Sequence, residues 1–497
     1  MFVCQLSSLN WHFFLLSDFC KSQIMITFVL QKLNKRNMKK SFIVSVALMC
    51  SVVISAQTQV IAGQSSPTQT KAWTLQECLD YAMQNNITLR QSKLQQQSAA
   101  EDVKGAKAAL LPSLSASTNQ SVGYRPWQDA GTTTVTNGTV NTKINKTYYN
   151  GSYGLNAQWT VWNGNRNRNQ VKLNQLTEQK AGLDAQETAN SIQERIAQLY
   201  VQILYLTEAV KVNEESLKTA RKNEDRGREM VDVGSMSKAD LAQLSAQRAT
   251  DEYNVVEAET QVRNYKLQLK QLLEITDDTE FDVAVPASTD EQALAEIPAL
   301  MGVYEQALAT RPEIQSAQMA VKSSDLNISI AKAGKLPTVN MTAGVGTSTN
   351  SLSNNGWGNQ MKNNFDASAG VSVSVPLVDQ HQTKTNVNKA RIQRESSLLA
   401  LQDEQKQLYQ TIEGYWLDAT TNQQKFRAAQ TTVESEQQSF NLLQEQFQVG
   451  LKNIIELMTG KDKLLQAEQN KLQSKYMTIL NLQMLKFYGR PTPGPSL

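Results

Sequence analysis

Ser237 stands three residues before Asp240, and Asn453 three before Glu456. Each pair follows a Val-Gly step, Val233-Gly234 and Val449-Gly450. A short polar side chain with an acid three residues on has the spacing of a capping box that starts a helix. A glycine just upstream supplies the left-handed conformation that ends the previous one. The chemistry these residues offer is hydrogen bonding and charge. Elsewhere, two histidines and four scattered cysteines provide no zinc set and no Cys–His nucleophile. No grouping offers a base, a nucleophile and a metal site together, so an enzyme is the weakest reading and no cofactor is expected. Cys78 reads as a small packing residue on an early helix, and His381 as a solvated junction after a strand.

The composition excludes other classes. The 497 residues include 49 Lys+Arg and 46 Asp+Glu, so a net charge of +3 gives no broad basic face for nucleic acid. No run approaches 18 consecutive apolar residues, which excludes a helical membrane span. Residues 38–56 run from Met38-Lys39-Lys40 through an apolar core, Ser41 to Ile54, to Ser55-Ala56. That is a secretory signal peptide, cleaved after Ala56, and Met38 reads as the true start, with 1–37 a mis-assigned upstream segment. Cys50 would also suit lipidation, though Met49 fits poorly before it. Residues 1–56 hold six basic residues and one acidic, so the mature chain falls to 43 basic and 45 acidic, a net of −2. Cys78 is then its lone cysteine, and an exported chain of this kind has no internal disulfide.

The mature sequence repeats itself. Leu111-Pro112 matches Leu336-Pro337, and Asn86-Ile87-Thr88-Leu89 lines up with Arg311-Pro312-Glu313-Ile314, at one offset; Val233-Gly234 matches Val449-Gly450 at another, nine residues shorter. After a linker at 57–72, the pattern predicts one unit at 73–285 and a second at 286–490, with a tail at 491–497. The junction from Asp277 to Pro298 is acidic and carries Pro286 and Pro298. Glycine clusters at 123–164 and 344–370 and is nearly absent from 235–301 and 371–449, which assigns turns and strands to the former and helices to the latter. Ile192, Ile196, Leu199, Ile203, Leu206, Val210 and Leu217 keep coiled-coil spacing. So do Leu408, Ile412, Tyr415, Ala419, Asn422, Phe426, Ala429, Val433, Glu436, Phe440, Leu443 and Phe447. Val255, Ala258, Val262, Tyr265, Leu269 and Leu272 mark a return helix.

Strands are expected at about 113–124, 151–162, 338–347 and 366–377. In the second, Tyr153, Leu155, Ala157, Trp159 and Val161 alternate with small or polar residues; in the fourth, Ala367, Ala369, Val371, Val373, Val375 and Leu377 do the same. Strands of about ten residues, apolar on one face and small-polar on the other, follow the transmembrane β-barrel pattern. Leu155, Trp159, Val161, Val371, Val373 and Val375 are the expected lipid-facing residues. Trp159 and Trp162 suit one aromatic girdle, Tyr148, Tyr149 and Tyr153 the other. Four strands leave two open edges, so several chains must share a barrel. Three chains give twelve strands and an aqueous lumen.

The chain resembles the TolC-like outer membrane efflux proteins along nearly its whole mature length. The resemblance rests on Trp73-Thr74-Leu75-Gln76-Glu77-Cys78-Leu79, the Leu-Pro entries to the strands, Trp162-Asn163-Gly164, and the turns Val233–Asp240 and Val449–Glu456. It implies a mainly α fold with a β-barrel part: a homotrimeric twelve-stranded outer-membrane barrel continued into a periplasmic coiled-coil tunnel. It implies an exit duct of a tripartite efflux or type I secretion system, with a periplasmic adaptor and an inner-membrane pump as partners. The family's gate falls on Asp240, Phe447 and Lys452, with Asp240 expected to pair with Lys452 and Glu456 to form an acidic ring on the pore side. Thr459 stands where the family has a second acid. Val233, Gly234, Ser237, Val449, Gly450 and Asn453 are the implied adaptor-docking positions. Asp379-Gln380-His381 departs from the family, which favours glycine there. A periplasmic adaptor has one helical hairpin between β domains, and a structural coiled-coil envelope protein lacks the in-phase strands; both fit the sequence less well. The substrate is not encoded in any of these residues.

Overall fold

The computed structural model describes residues 72–489, apart from 128–129, 136–137, 144, 277–280, 286–289 and 354, with the backbone alone for 130–143. The signal peptide, the upstream segment, Cys50, Pro286 and the tail lie outside the described residues.

A short strand β1 (Ala72–Trp73) leads into α1 (Leu75–Asn85) and α2 (Ile87–Ala108). Thr74 and Glu77 form a capping box at the start of α1. Strand β2 (Ser113–Tyr124) follows, then a hairpin of β3 (Ala130–Val135) and β4 (Gly138–Lys143), then β5 (Thr147–Trp162). The connection between β2 and β5 therefore contains paired strands of its own. Helix α3 (Arg166–Asp232) has 67 residues, about 100 Å at about 1.5 Å per residue. It turns into α4 (Lys238–Leu272), which lies back along it. A two-residue strand β6 (Asp282–Val283) pairs in parallel with β1.

The same order then recurs. Short α5 (Asp290–Ala293) is followed by α6 (Leu300–Thr310) and α7 (Pro312–Lys332). Strand β7 (Thr338–Asn350), a seven-residue helix α8 (Trp357–Asn363) and β8 (Asp366–Ser374) come next. Helix α9 (Gln382–Gln448) again has 67 residues, and α10 (Ile454–Tyr488) has 35, as α4 does. Val375 and Leu377 lie beyond the end of β8, so the strand is shorter than its apolar alternation suggests.

The breaks between α1 and α2 and between α6 and α7 fall at the matched segments. Asn86 caps α2 through its side chain, accepting from Leu89 N at 3.1 Å and donating to the carbonyl of Leu272 at 3.0 Å. Pro312 occupies the first turn of α7, where no intrahelical donor is lost. Helix α7 packs between α3 and α9, and α10 touches α3.

The coiled-coil spacing predicts the packed face of α9 well. All twelve of its positions are buried or half-buried, with Leu408, Ile412, Ala419, Phe426, Phe440 and Phe447 fully so. In α3 the seam drifts: Val210 is only half-buried while Ala209 is buried, because residues 196–206 are enclosed nearly all round. That enclosure is the main core, where Leu75, Cys78, Leu79 and Ala82 meet Ile196, Tyr200, Ile203 and Leu204. Cys78 is fully buried, and burial pushes its thiol up to about 12. A second core joins Ala307 and Ile314 to Ile412, Ala419 and Leu485. Nearby, the hydroxyls of Tyr415 and Tyr488 both donate to Glu194, tying α9 and α10 to α3.

Each long helix is entered through two left-handed residues: Gly164 and Asn165 before α3, Gln380 and His381 before α9. Asn163 and Asp379, matched in sequence, both accept from the backbone N–H four residues on. The turn is therefore the same in both units, and the departure from glycine at Gln380 is strain rather than a change of shape. Left-handed backbone costs a residue with a β-carbon about 1 kcal/mol or more. Gln380→Gly should therefore stabilise the protein by about 1 kcal/mol. Gly164→Ala should cost more than that, because its β-carbon would lie 2.8 Å from Leu336. Thermal unfolding followed by circular dichroism measures both, and an unshifted midpoint for Gly164→Ala would contradict the close packing.

Candidate functional site

Two regions carry the residues singled out by the sequence. The first is the four-stranded antiparallel sheet, in the order β2-β5-β7-β8. Residues paired across an antiparallel ladder share a face. Leu114 faces Ala157 and Ala116 faces Leu155 across β2 and β5. Leu155 then faces Val345, Ala157 faces Ala343, and Trp159 faces Met341. On β8, Ala367, Ala369, Val371 and Val373 oppose Val345, Ala343, Met341 and Val339. One face of the sheet is thus apolar across all four strands.

The other face is small and polar. Ser113, Ser115 and Ser117 oppose Gln158, Asn156 and Gly154. Beyond them lie Thr342, Gly344 and Gly346, then Gly370 and Ser368. A bulge between Thr160 and Trp162 sets Trp162, not Val161, opposite Val339. Val161 is therefore the extra residue of a bulge and not a regular member of the apolar row. Leu155, Val371, Val373 and Val375 are all exposed on the single chain, at 47%, 64%, 62% and 51%. Trp159 donates its indole N–H to the carbonyl of Leu110 at 2.9 Å, at the end of the sheet next to the helices. Among the described residues, β2 and β8 each pair along one side only.

The second region is the pair of helix turns. After α3, Gly234 has φ 73°, and Ser235 N–H reaches Met230 O at 2.8 Å; after α9, Gly450 has φ 76°, and Leu451 N–H reaches Gln446 O at 2.9 Å. Both are Schellman closures, which satisfy the helix's last carbonyls. Ser237 Oγ accepts from Asp240 N–H at 3.1 Å and donates to the Asp240 carboxylate at 2.8 Å. Asn453 and Glu456 form the full capping box that the spacing predicts. The turns are alike in backbone and present exposed apolar side chains: Val233, Val449, Leu451 and Ile455.

The expected ion pair between Asp240 and Lys452 is not formed within the chain. The capping box fixes the Glu456 carboxylate over the first turn of α10, and Lys452 Nζ meets it there at 2.6 Å. The ammonium beside it holds the Glu456 carboxyl below the usual range. Phe447 does not stand free at the tip; it is buried with Leu244, Phe440, Ile454 and Leu457. Thr459 bonds back to the carbonyl of Ile455.

Sequence reasoning missed the ionic group just above the tips. Lys461 on α10 pairs with Asp251 on α4, and their side chains are 6% and 2% exposed. Gln247 also donates to Asp251, at 3.1 Å. Close by, the buried carboxylate of Glu224 accepts from Arg228, Arg248 and Ser245, which holds it below the usual range, with the Arg228 bond the largest cause. The signal was present in the spacing. Asp251 continues the series Val255, Ala258, Val262 backwards by four, and Lys461 stands between Leu457 and Leu464 at steps of four and three. A charge at a seam position on each of two helices is what marks a buried pair.

Comparison with known proteins matches this arrangement. The family described as Outer membrane efflux protein matches residues 78–274 and 303–488. The chain is 24% identical over 448 residues to the outer membrane efflux protein BepC of Brucella suis, covering 90% of both chains. It is 21% identical to the outer membrane protein TolC of Escherichia coli, covering 86% of this chain and 83% of that one. Among solved structures, VceC of Vibrio cholerae superposes with a TM-score of 0.68 at 16% identity, covering 84% of this chain and 96% of that one. The CmeC outer membrane channel of Campylobacter jejuni gives 0.69 at 17%, covering 86% and 90%. With the family's match running through both long helical hairpins and both strand pairs, the chain belongs to the outer membrane efflux protein family.

Proposed function

We propose that three copies of this chain close one twelve-stranded barrel in the outer membrane and continue it as a periplasmic helical duct. The observation that carries this reading is the sheet: four strands, one face apolar through its middle and helix-side part, and, among the described residues, an open edge at β2 and at β8. A sheet with open edges is not stable in lipid, and the apolar face needs lipid to cover it. Joining β8 of one copy to β2 of the next satisfies both demands. The polar face of Ser, Asn, Thr and Gly then lines an aqueous lumen.

The duct is passive. Energy comes from an inner-membrane pump, joined through a periplasmic adaptor that docks on the turns at Val233-Gly234 and Val449-Gly450. The exposed Val233, Val449, Leu451 and Ile455 suit apolar contact with helical tips of that adaptor. The same turns form the closed end of the duct. There Asp240, Lys452 and Glu456 meet their counterparts from neighbouring copies, and Phe447 supports them from within. Three Glu456 and three Asp240 carboxylates around the axis outnumber the three Lys452 ammoniums that pair with Glu456, which makes the aperture cation-preferring. The signal peptide and export to the outer membrane belong to this reading.

Planar-bilayer recording tests it. The purified protein should form small, cation-preferring channels. Asp240→Ala and Lys452→Ala should each enlarge the conductance, and Glu456→Gln should weaken the preference for cations. Absence of channels would contradict the duct; unchanged conductance in the first two variants would contradict the gate alone.

A further inference from the structure

The outer end of the sheet, away from the helices, carries a feature the duct does not require. The rows that are aliphatic in mid-sheet change character there. On the face of Leu155, Val345 and Ala116, the next positions are Tyr153, Gly151 and Tyr149 on β5, Thr347 and Thr349 on β7, and Thr118 and Gln120 on β2. Helix α8 is seated over this part of that same face. Thr347 Oγ1 donates to the carbonyl of Met361 at 2.9 Å, and the Trp357 ring stands edge-on to Tyr153 with centroids 6.4 Å apart. The buried amide of Gln360 pins the helix, accepting from Asn350 N–H at 2.7 Å and donating to the carbonyl of Asn355 at 2.6 Å. Asn364 donates to the carbonyl of Ser348 at 2.7 Å.

This fixed helix holds large rings outward. Trp357 is 60% exposed and Phe365, two residues past its end, 62%. Lys362 is exposed as well. An exposed tryptophan, a phenylalanine and a lysine on one short element fit the boundary between headgroups and acyl chains. The height agrees. From Trp159, at the helix end of the sheet, to Tyr149, at the loop end, is ten residues along β5. That is about 33 Å of strand at about 3.3 Å per residue. A strand tilt of about 40° reduces it to roughly 25 Å, the height of a barrel's apolar band. Helix α8 meets the strands between the level of Tyr153, through Trp357 and Thr347, and that of Asn150, through Asn350, so it lies over the outer part of this band, just inside its limit at Tyr149, on the face that continues the lipid-covered one.

We propose that α8 is an interfacial foot that rests in the outer leaflet of the membrane, with Trp357 and Phe365 inserted among the upper acyl chains just below the headgroups. Its occupant is lipid, because the surface is continuous with the apolar sheet face and ends at its rim. Three such feet around the barrel fix its depth in the membrane. The inference rests on the barrel reading above, and its test separates the two.

The test is fluorescence quenching of the full protein in phosphatidylcholine vesicles, by lipid brominated high on its acyl chains and by aqueous iodide. The signal of Trp357 is obtained as the difference between the protein and its Trp357→Phe variant, and that of Trp159 from Trp159→Phe. Trp357 should be quenched by the brominated lipid and shielded severalfold from iodide. A second variant, Phe365→Trp in the Trp357→Phe background, should restore a lipid-quenched signal. Lipid quenching of Trp159 with Trp357 quenched only by iodide would overturn the foot and leave the barrel. No lipid quenching of either would overturn the barrel itself.

Discussion

Leu155→Arg is expected to abolish assembly in the outer membrane, while Asn156→Arg, one residue away, leaves assembly intact. Leu155 lies midway along β5, on the face shared with Ala116 and Val345, and is 47% exposed on the single chain. An arginine at the middle of the apolar band costs about 2–4 kcal/mol. Three copies in one barrel multiply that to roughly 6–12 kcal/mol per assembly, comparable to the whole stability of a typical domain. Asn156 points to the opposite face with Ser115 and Gly344. Arginines there stand in the lumen, where water solvates them, and should lower cation conductance without loss of protein. The amount of protein in purified outer membranes measures the first effect and bilayer recording the second. Equal yields for the two variants would contradict the assignment of faces.

The second large effect is expected at the buried pair above the tips. Lys461→Met leaves the Asp251 carboxylate buried without its ammonium partner, and removing one member of such a pair costs about 3–5 kcal/mol. The loss falls where α10 meets α4, so it should loosen the contact between the two hairpins of a chain. Bilayer recordings should show larger and longer openings. Replacing both residues, Lys461→Met with Asp251→Leu, removes the stranded charge and should recover most of the stability and the closed state. A single variant that closes and unfolds like the parent would show that the pair does not hold the tips. Failure of the double variant to recover would point instead to the Gln247 bond with Asp251.

How much of this was legible in the sequence depended on whether local pattern or long-range contact set each feature. That each unit carries a long helix, and which face of α9 is packed, followed from glycine-poor tracts and spacing, because a long coiled coil repeats one local rule; the full 67-residue extents did not. Both tip closures followed from Val-Gly steps and polar residues three before an acid, since caps are made by neighbours in sequence. The apolar face of the sheet was legible from alternation. Its bulge at Val161 was not, because a bulge is a choice between β5 and a strand far along the chain. Helix α8 lay hidden in a polar connection for the same reason: its stability comes from Gln360, Thr347 and Tyr153, not from an apolar stripe of its own. The Asp251–Lys461 pair could have been found by asking which seam positions break the apolar pattern. The partner of Lys452 could not, since Glu456 and Asp240 are both within reach of sequence reasoning and only the folded turn chooses Glu456.

The claim on which the rest depends is that one barrel is shared by several chains. The most direct measurement is the mass of the protein particle extracted by mild detergent from purified outer membranes, taken by light scattering with the detergent contribution removed. Three mature chains per particle is the expected result. A single chain per particle, or protein recovered free from the periplasm, would contradict the shared barrel and leave the open edges of β2 and β8 to be covered in some other way.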